Sequence, residues 1–457
     1  MDEGLNVGMG MPGWLLYPAT LLAFLILAYP FYRARSVIAR YALFALSFRY
    51  LAGAHHTVTF MASPIGMSWN AIGSSGVFLM GLVLIKARHL LLKQLIPFYL
   101  LVIAVVLSAL GNHNIAGMLD VVVKYGYLII ITIAVYETLN RMGEQRGMGL
   151  LLWAMVTPVL FQLLSIAFGI TKGSEADGSI SFIGGYHHES PFSIVLATGF
   201  VIACFATGMK VWVRGAILLA LLMGLVLANY RTVLIAIAPL AFVQFNLDFI
   251  GRFPKRQRII IGIAILGFSS LAALAAAWVM RERFTDLVTV LSDPGALIKE
   301  PQYYTPDERK LMSGRPYIWA AYIDGYLDGG AKTLLVGYGP SAWIGRFAIY
   351  AHNTLVSTLF EYGILGVLAM ISVWVSMFVA ALRVDGPRGK LLMAHASFFL
   401  LNMATMPHWM LEGNILYGII CGYTFYRLLS PVKAPAPRVT PTPLQVVPPI
   451  PRPNILR

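Results

Sequence analysis

The chain has 457 residues, 58% of them hydrophobic and only 12% charged, with a net charge of +14. Soluble domains average about 25% charged residues, so this composition excludes a row of ordinary globular domains. Its apolar runs approach the 20 or so residues that cross a bilayer as a helix. They do not alternate in polarity, which excludes a β-barrel.

The fold expected is an all-α polytopic membrane protein with 12–13 transmembrane helices. Thirteen spans are read near 14–32, 38–54, 69–86, 95–111, 119–139, 148–169, 191–209, 213–230, 232–247, 259–280, 352–382, 391–406 and 413–429. The first lacks a basic n-region and is as long as a true span, so it counts as a helix and not as a cleavable signal. The second carries Arg40 and Arg49 and reads as tilted or re-entrant. Basic clusters fall in every second connection: Arg33/Arg35/Arg40, Lys86/Arg88/Lys93, Arg141/Arg146, Lys210/Arg214, Arg252/Lys255/Arg256/Arg258 and Arg383/Arg388/Lys390. The alternate short connections 55–68 and 112–118 hold no Lys or Arg. The positive-inside rule then puts the N-terminus outside and the C-terminus in the cytoplasm. The positive charge is topogenic, so the expected partners are membrane lipids and not nucleic acid.

One connection is long. Residues 281–351 carry eight basic and eight acidic side chains, and loops of this length are usually functional or disordered. Its aromatics, a short helix expected at 316–328 and the Gly337-Tyr-Gly-Pro340 turn suggest a folded outer cap. Residues 1–430 are therefore read as one transmembrane helical domain that includes this extracytoplasmic loop. The tail 431–457 has nine prolines in 27 residues and reads as a disordered or polyproline cytoplasmic extension. Cys204 and Cys421 both fall in spans, which argues against a disulfide framework.

Charged side chains are expensive at a helix centre, about 2.5–3.5 kcal/mol on insertion scales, so the exceptions are informative. Arg49 lies near the outer end of the second span, and Lys124 is about one and a half turns into the fifth. Arg231 occupies the outer turn Asn229-Tyr-Arg-Thr232, and Arg315 the cap segment Ser313-Gly-Arg-Pro316. His187, His188 and Glu189 lie in the outer 170–190 loop, and His352 opens the eleventh span. The topology brings all of them to one rim. Cations there suit an anion, and paired guanidiniums suit phosphate oxygens; independent snorkelling to headgroups is the alternative for Arg49 and Lys124. On a continuous helix Glu361 stands about 180° from His352 and about 80° from Asn353, which gives Glu361 a packing or supporting role. No GxSxG, HExxH or Walker A motif is present. The His187-His-Glu189 spacing does not suit two helical zinc ligands, so neither metal nor cofactor is expected.

Taken together, Ser313-Gly-Arg-Pro-Tyr-Ile-Trp319, Leu335-Val-Gly-Tyr-Gly-Pro340 and Ala351-His-Asn-Thr-Leu-Val-Ser-Thr-Leu-Phe-Glu-Tyr-Gly-Ile-Leu-Gly366 resemble the signature block of the O-antigen ligase and polymerase superfamily. Asn229-Tyr-Arg-Thr232 resembles its intramembrane arginine, and Gly184-Gly-Tyr-His-His-Glu-Ser-Pro-Phe192 the turn before its middle spans. The resemblance covers about 180–370. It implies a metal-independent, inverting glycosyltransferase of the GT-C type at the outer face of the bacterial inner membrane. The donor would be an undecaprenyl-diphosphate-linked oligosaccharide. The acceptor would be a lipid-linked repeat for a polymerase or lipid A core for a ligase. Arg231 and Arg315 match the family's diphosphate-binding arginines, and His352 its catalytic base. No basic residue directly precedes Gly184, where ligases often carry a third arginine, so a polymerase of surface polysaccharide is expected. A secondary transporter of an anionic solute also accounts for intramembrane cations, but predicts a midplane site on broken helices in paired repeats.

Overall fold

The computed structural model describes residues 10–173, 180–250, 253–264, 267 and 298–430. The expected Pro-rich tail, the cap residues before 298 and most of the tenth span lie outside these. Among the described residues the chain is nearly all helix, apart from a two-stranded antiparallel pair, Lys172–Gly173 with Ile180–Ser181.

Six helices are long and apolar enough to cross a membrane: Gly13–Arg33, Val37–Ala54, Lys93–Gly111, Ile115–Met142, Glu144–Ala167 and Thr354–Leu382. Trp69–Leu84, Glu189–Phe205, Val211–Leu227 and Arg231–Asn246 are shorter apolar helices. This is the make-up of a multi-pass membrane protein. The last two expected spans are helices, Arg388–Ala404 and Leu411–Leu429, but they belong to neither group. The reason is polar content: His395, Ser397 and Asn402 are buried in the first, and Glu412, Asn414 and Thr424 in the second. Every residue from Leu411 to Phe425 is buried, as in a helix enclosed by protein on all sides.

That central helix packs along Ile115–Met142. Gly418 and Gly422 make the approach close: a Cβ on Gly422 would stand 2.5 Å from the Thr132 carbonyl oxygen. This is the small-xxx-small device of membrane helix pairs. Outer helices carry the exposed apolar surface, for example Leu21 and Leu25 on Gly13–Arg33, Leu219 and Met223 on Val211–Leu227, and Leu368 and Val375 on Thr354–Leu382.

The connections contact one another in two sets. At the basic end Arg427 reaches Glu144 and the Asp385 carbonyl, Arg141 binds Glu137, and His89 Nδ1 lies 2.6 Å from Glu137. At the opposite end Asn114 binds the Pro340 carbonyl, Asn353 the Met403 carbonyl, and the rings of His56 and His187 lie 5.2 Å apart. The second helix, Val37–Ala54, is continuous and mostly buried. It is therefore not re-entrant.

The eleventh span is not one continuous helix. Gly363 has φ 64° and ψ −163°, which interrupts Thr354–Leu382. The turn Gly337–Pro340 fills the break: Tyr338 N donates to Phe360 O and Gly339 N to Glu361 O, each at 2.9 Å. Ser108 Oγ adds a third bond to Glu361 O at 2.6 Å. The helix 96–111 and its following turn clamp the same loop, Asn112 through Gly337 O and Asn114 through Pro340 O. Gly337 and Gly363 touch backbone to backbone, and neither position has room for a Cβ. Two stations of the motif block, Gly337-Tyr-Gly-Pro340 and Glu361-Tyr-Gly363, thus dock on each other.

The described cap, 298–351, contains the helices Arg315–Leu327 and Ala331–Val336. It closes its own apolar cluster, in which Tyr322, Tyr326, Phe360 and Met406 are buried. The expected 316–328 helix begins at Arg315.

Candidate functional site

Four helix starts meet at the end opposite the basic connections. Arg231 is the first residue of Arg231–Ile250 and follows Asn229, whose φ is 55°. Arg315 is the first residue of Arg315–Leu327 and follows Met312, Ser313 and Gly314, with φ of 49°, 59° and 78°. His352, at φ 51°, precedes Asn353, the N-cap of Thr354–Leu382. His188 caps Glu189–Phe205, its Nδ1 accepting from Ser190 N at 3.1 Å. Left-handed backbone costs a bulky residue of order 1–3 kcal/mol and persists where the surroundings enforce it, often at functional sites.

One contact joins the two arginine segments: Arg315 Nη2 donates to Thr232 Oγ1 at 3.5 Å, across 83 residues of sequence. Among the described residues no carboxylate pairs with Arg315. His352 lies in the same field. Burial first, then the Arg315 guanidinium and His188, push its pKa down to about 4. It is therefore neutral near pH 7, and its Nδ1 is buried without a hydrogen-bond partner. Helix N-termini carry partial positive charge and free N–H groups, so the combination with Arg231 and Arg315 favours an anion. The neutral imidazole beside it can take a proton.

Aromatic side chains flank His352. Tyr350 lies 4.1 Å from it between ring centroids, and Trp343 and Trp409 lie 6.1 and 6.0 Å from Tyr350. The indole N–H groups of Trp343 and Trp409 are buried without partners. Composition and spacing did not single out this group, although its aromatics are visible in the sequence.

The other expected residues divide. Arg49 belongs to the interior: it forms a buried ion pair with Glu412 at 2.7 Å and also binds Asn70. Lys124 pairs with Asp120 at 2.6 Å and lies over the Trp409 ring at 5.0 Å. Asn353 is a structural cap, with Oδ1 accepting from Leu355 N and Val356 N. His352 and Asn353 stand outside the helix, so the angles read on a continuous helix do not apply to them. Glu361 is buried with Oε1 unpartnered, and its backbone carries the docked turn.

The His187 ring is tilted by 47° to that of His56; its pKa is lowered by partial burial, Lys172 and His188. Glu189 lies 3.4 Å from His188 and 3.8 Å from Lys172. Lys172 is an unanticipated member of this group. The short strand pair returns it to His187, whose carbonyl oxygen accepts from its Nζ at 2.7 Å. Among the described residues no three or more His, Cys, Asp or Glu gather in a way that would hold a metal ion.

Comparison with models of protein families gives no match. A search of curated proteins gives none either.

Proposed function

We propose that this protein is a glycosyltransferase that polymerises surface polysaccharide repeats, moving a glycan from undecaprenyl diphosphate to an acceptor hydroxyl at the outer face of the bacterial inner membrane. The observation that carries the reading is the Arg315–Thr232 contact, which brings Arg315, beside a neutral, half-buried histidine, to the residue that follows Arg231. The likeness of the Ser313–Gly366 block to the O-antigen ligase and polymerase superfamily supplies the reaction class.

In this reading Arg231 and Arg315 hold the diphosphate. The acceptor oxygen attacks the anomeric carbon from the face opposite the leaving group. The new O–C bond forms as the C–O bond to phosphate breaks, and the electron pair leaves on the diphosphate. The arginines and helix N-termini offset the charge that develops there. His352 takes the acceptor proton, and an adjacent anion raises its basicity from the low value it has beside Arg315 alone. Trp343, Tyr350 and Trp409 offer flat apolar faces and indole donors for sugar rings.

Lys172 favours a second reading, a ligase with lipid A core as acceptor. No basic residue directly precedes Gly184, but the strand pair brings one to the same turn through space. The break in Thr354–Leu382 is filled by the Gly337–Pro340 backbone and not left open to a solute, which weighs against a transporter.

The test uses purified protein with lipid-linked repeats. A product ladder from repeats alone supports the polymerase, and product only after addition of lipid A core supports the ligase. His352→Ala and Arg315→Ala should each abolish product while still inserting. Normal product from either would remove the assigned roles, and uptake of a labelled anion into liposomes without lipid-linked glycan would favour transport.

A further inference from the structure

A second feature at the membrane level is independent of the transfer reaction. Gly13–Arg33, Val37–Ala54 and the start of Trp69–Leu84 enclose an open apolar groove of about 390 Å³, within the roughly 300–1,000 Å³ of ligand sites. Thr20, Phe24, Leu27 and Phe31 line it from the first helix at i, i+4, i+7 and i+11. Phe44, Phe48, Leu51 and His55 do so from the second with the same spacing. Eleven residues of helix rise about 16 Å, close to one leaflet of a hydrocarbon core about 30 Å thick. Both walls belong to helices long and apolar enough to cross a membrane, so the medium that reaches the groove is hydrocarbon.

The polar mouth identifies the occupant. Thr20 Oγ1 donates to Leu16 O at 2.7 Å, so the 2.8 Å contact with His55 Nε2 has the imidazole as donor. Asn70 gives its carbonyl oxygen to Arg49, which leaves two amide N–H groups for a ligand carbonyl. The cation behind Asn70 is already neutralised, because Arg49 is paired with Glu412. The imidazole of His55 spends its donor on Thr20. The mouth therefore offers neutral donors and no free charge. That matches an ester carbonyl and does not match a diphosphate.

We propose that this groove is a binding site for one acyl chain of a glycerophospholipid, with the chain's ester carbonyl on Asn70 and its methylenes between the two phenylalanine-lined helices.

The experiment reconstitutes the full chain in vesicles of phosphatidylethanolamine carrying a diazirine on one acyl chain. The adducts are mapped by mass spectrometry. Phe24, Phe44 and Phe48 should be labelled several-fold more than Leu21 and Leu25, which face outward on the first helix. Leu51→Trp should fill the groove and suppress that excess. Asn70→Ala removes the donor together with the oxygen that accepts from Arg49, and should lower phospholipid retention in detergent roughly two- to tenfold. Equal labelling of groove and outward residues would overturn the proposal. So would preferential labelling of the groove by a polyprenyl diphosphate probe, or cross-linking there to a second copy of the chain. None of these outcomes bears on the roles of His352 and Arg315, which are read from product formation.

Discussion

Replacing Gly363 with alanine tests whether the docked turn holds the cap on the bundle. At φ 64° and ψ −163° Gly363 occupies a region open essentially to glycine alone, so a side chain there costs about 1–3 kcal/mol in backbone strain. The added Cβ would also press on the Leu335 carbonyl oxygen and stand 2.7 Å from Gly337 N. Both are backbone atoms that cannot rotate away. The available relief is to undock the turn, which gives up Tyr338 N to Phe360 O and Gly339 N to Glu361 O at about 1 kcal/mol each. A loss of about 3–5 kcal/mol follows. Thermal unfolding in detergent should show the destabilisation, and limited proteolysis should cut the 298–351 segment faster than in the wild type. Gly76→Ala is the control: it lies within Trp69–Leu84 with nothing near a Cβ and should be neutral or slightly stabilising. If Gly363→Ala melts like this control and its cap resists protease equally, the docking argument fails.

Two further outcomes are expected. Arg49→Ala should cost about 3–5 kcal/mol by leaving Glu412 as an uncompensated buried charge, whereas Arg49→Met with Glu412→Leu should recover most of it; equal losses in unfolding melts of the single and double variants would contradict an ion-pair origin. His352 binds fewer protons folded than unfolded between about pH 4 and its ordinary 6.5, so its contribution to stability is complete above about pH 6.5 and is lost as pH falls toward 4. If the proposed diphosphate site is right, the same linkage predicts that pyrophosphate binding takes up a proton in that window. Calorimetry in buffers of different ionisation enthalpy should detect the uptake at pH 6 in the wild type and lose it in His352→Ala.

The helical class, the positions of the long apolar helices and the alternation of basic connections were legible in the sequence. Each is a sum of local terms: hydropathy adds over about twenty residues, and charge is read connection by connection. The motif stations around Arg231, Arg315 and His352 were also visible as residues, along with the rim on which the topology places them. Their mutual arrangement was not. Whether Arg315 reaches Thr232, whether Arg49 faces a headgroup or Glu412, and whether Lys172 returns to His187 are contacts between segments far apart in sequence. The buried polar content that keeps Leu411–Leu429 out of the apolar class makes sense only once that helix is seen to be central, where Glu412 has Arg49 as a partner. His352 was placed in a helix because its neighbours are apolar and helix-forming, yet its positive φ sets it just outside the Asn353 cap. Gly363 was one glycine among many until Gly337 came to rest against it. Hydropathy decides which segments enter the bilayer. The sign of a single φ and the meeting of two distant backbones are decided by packing, where every element constrains the others at once.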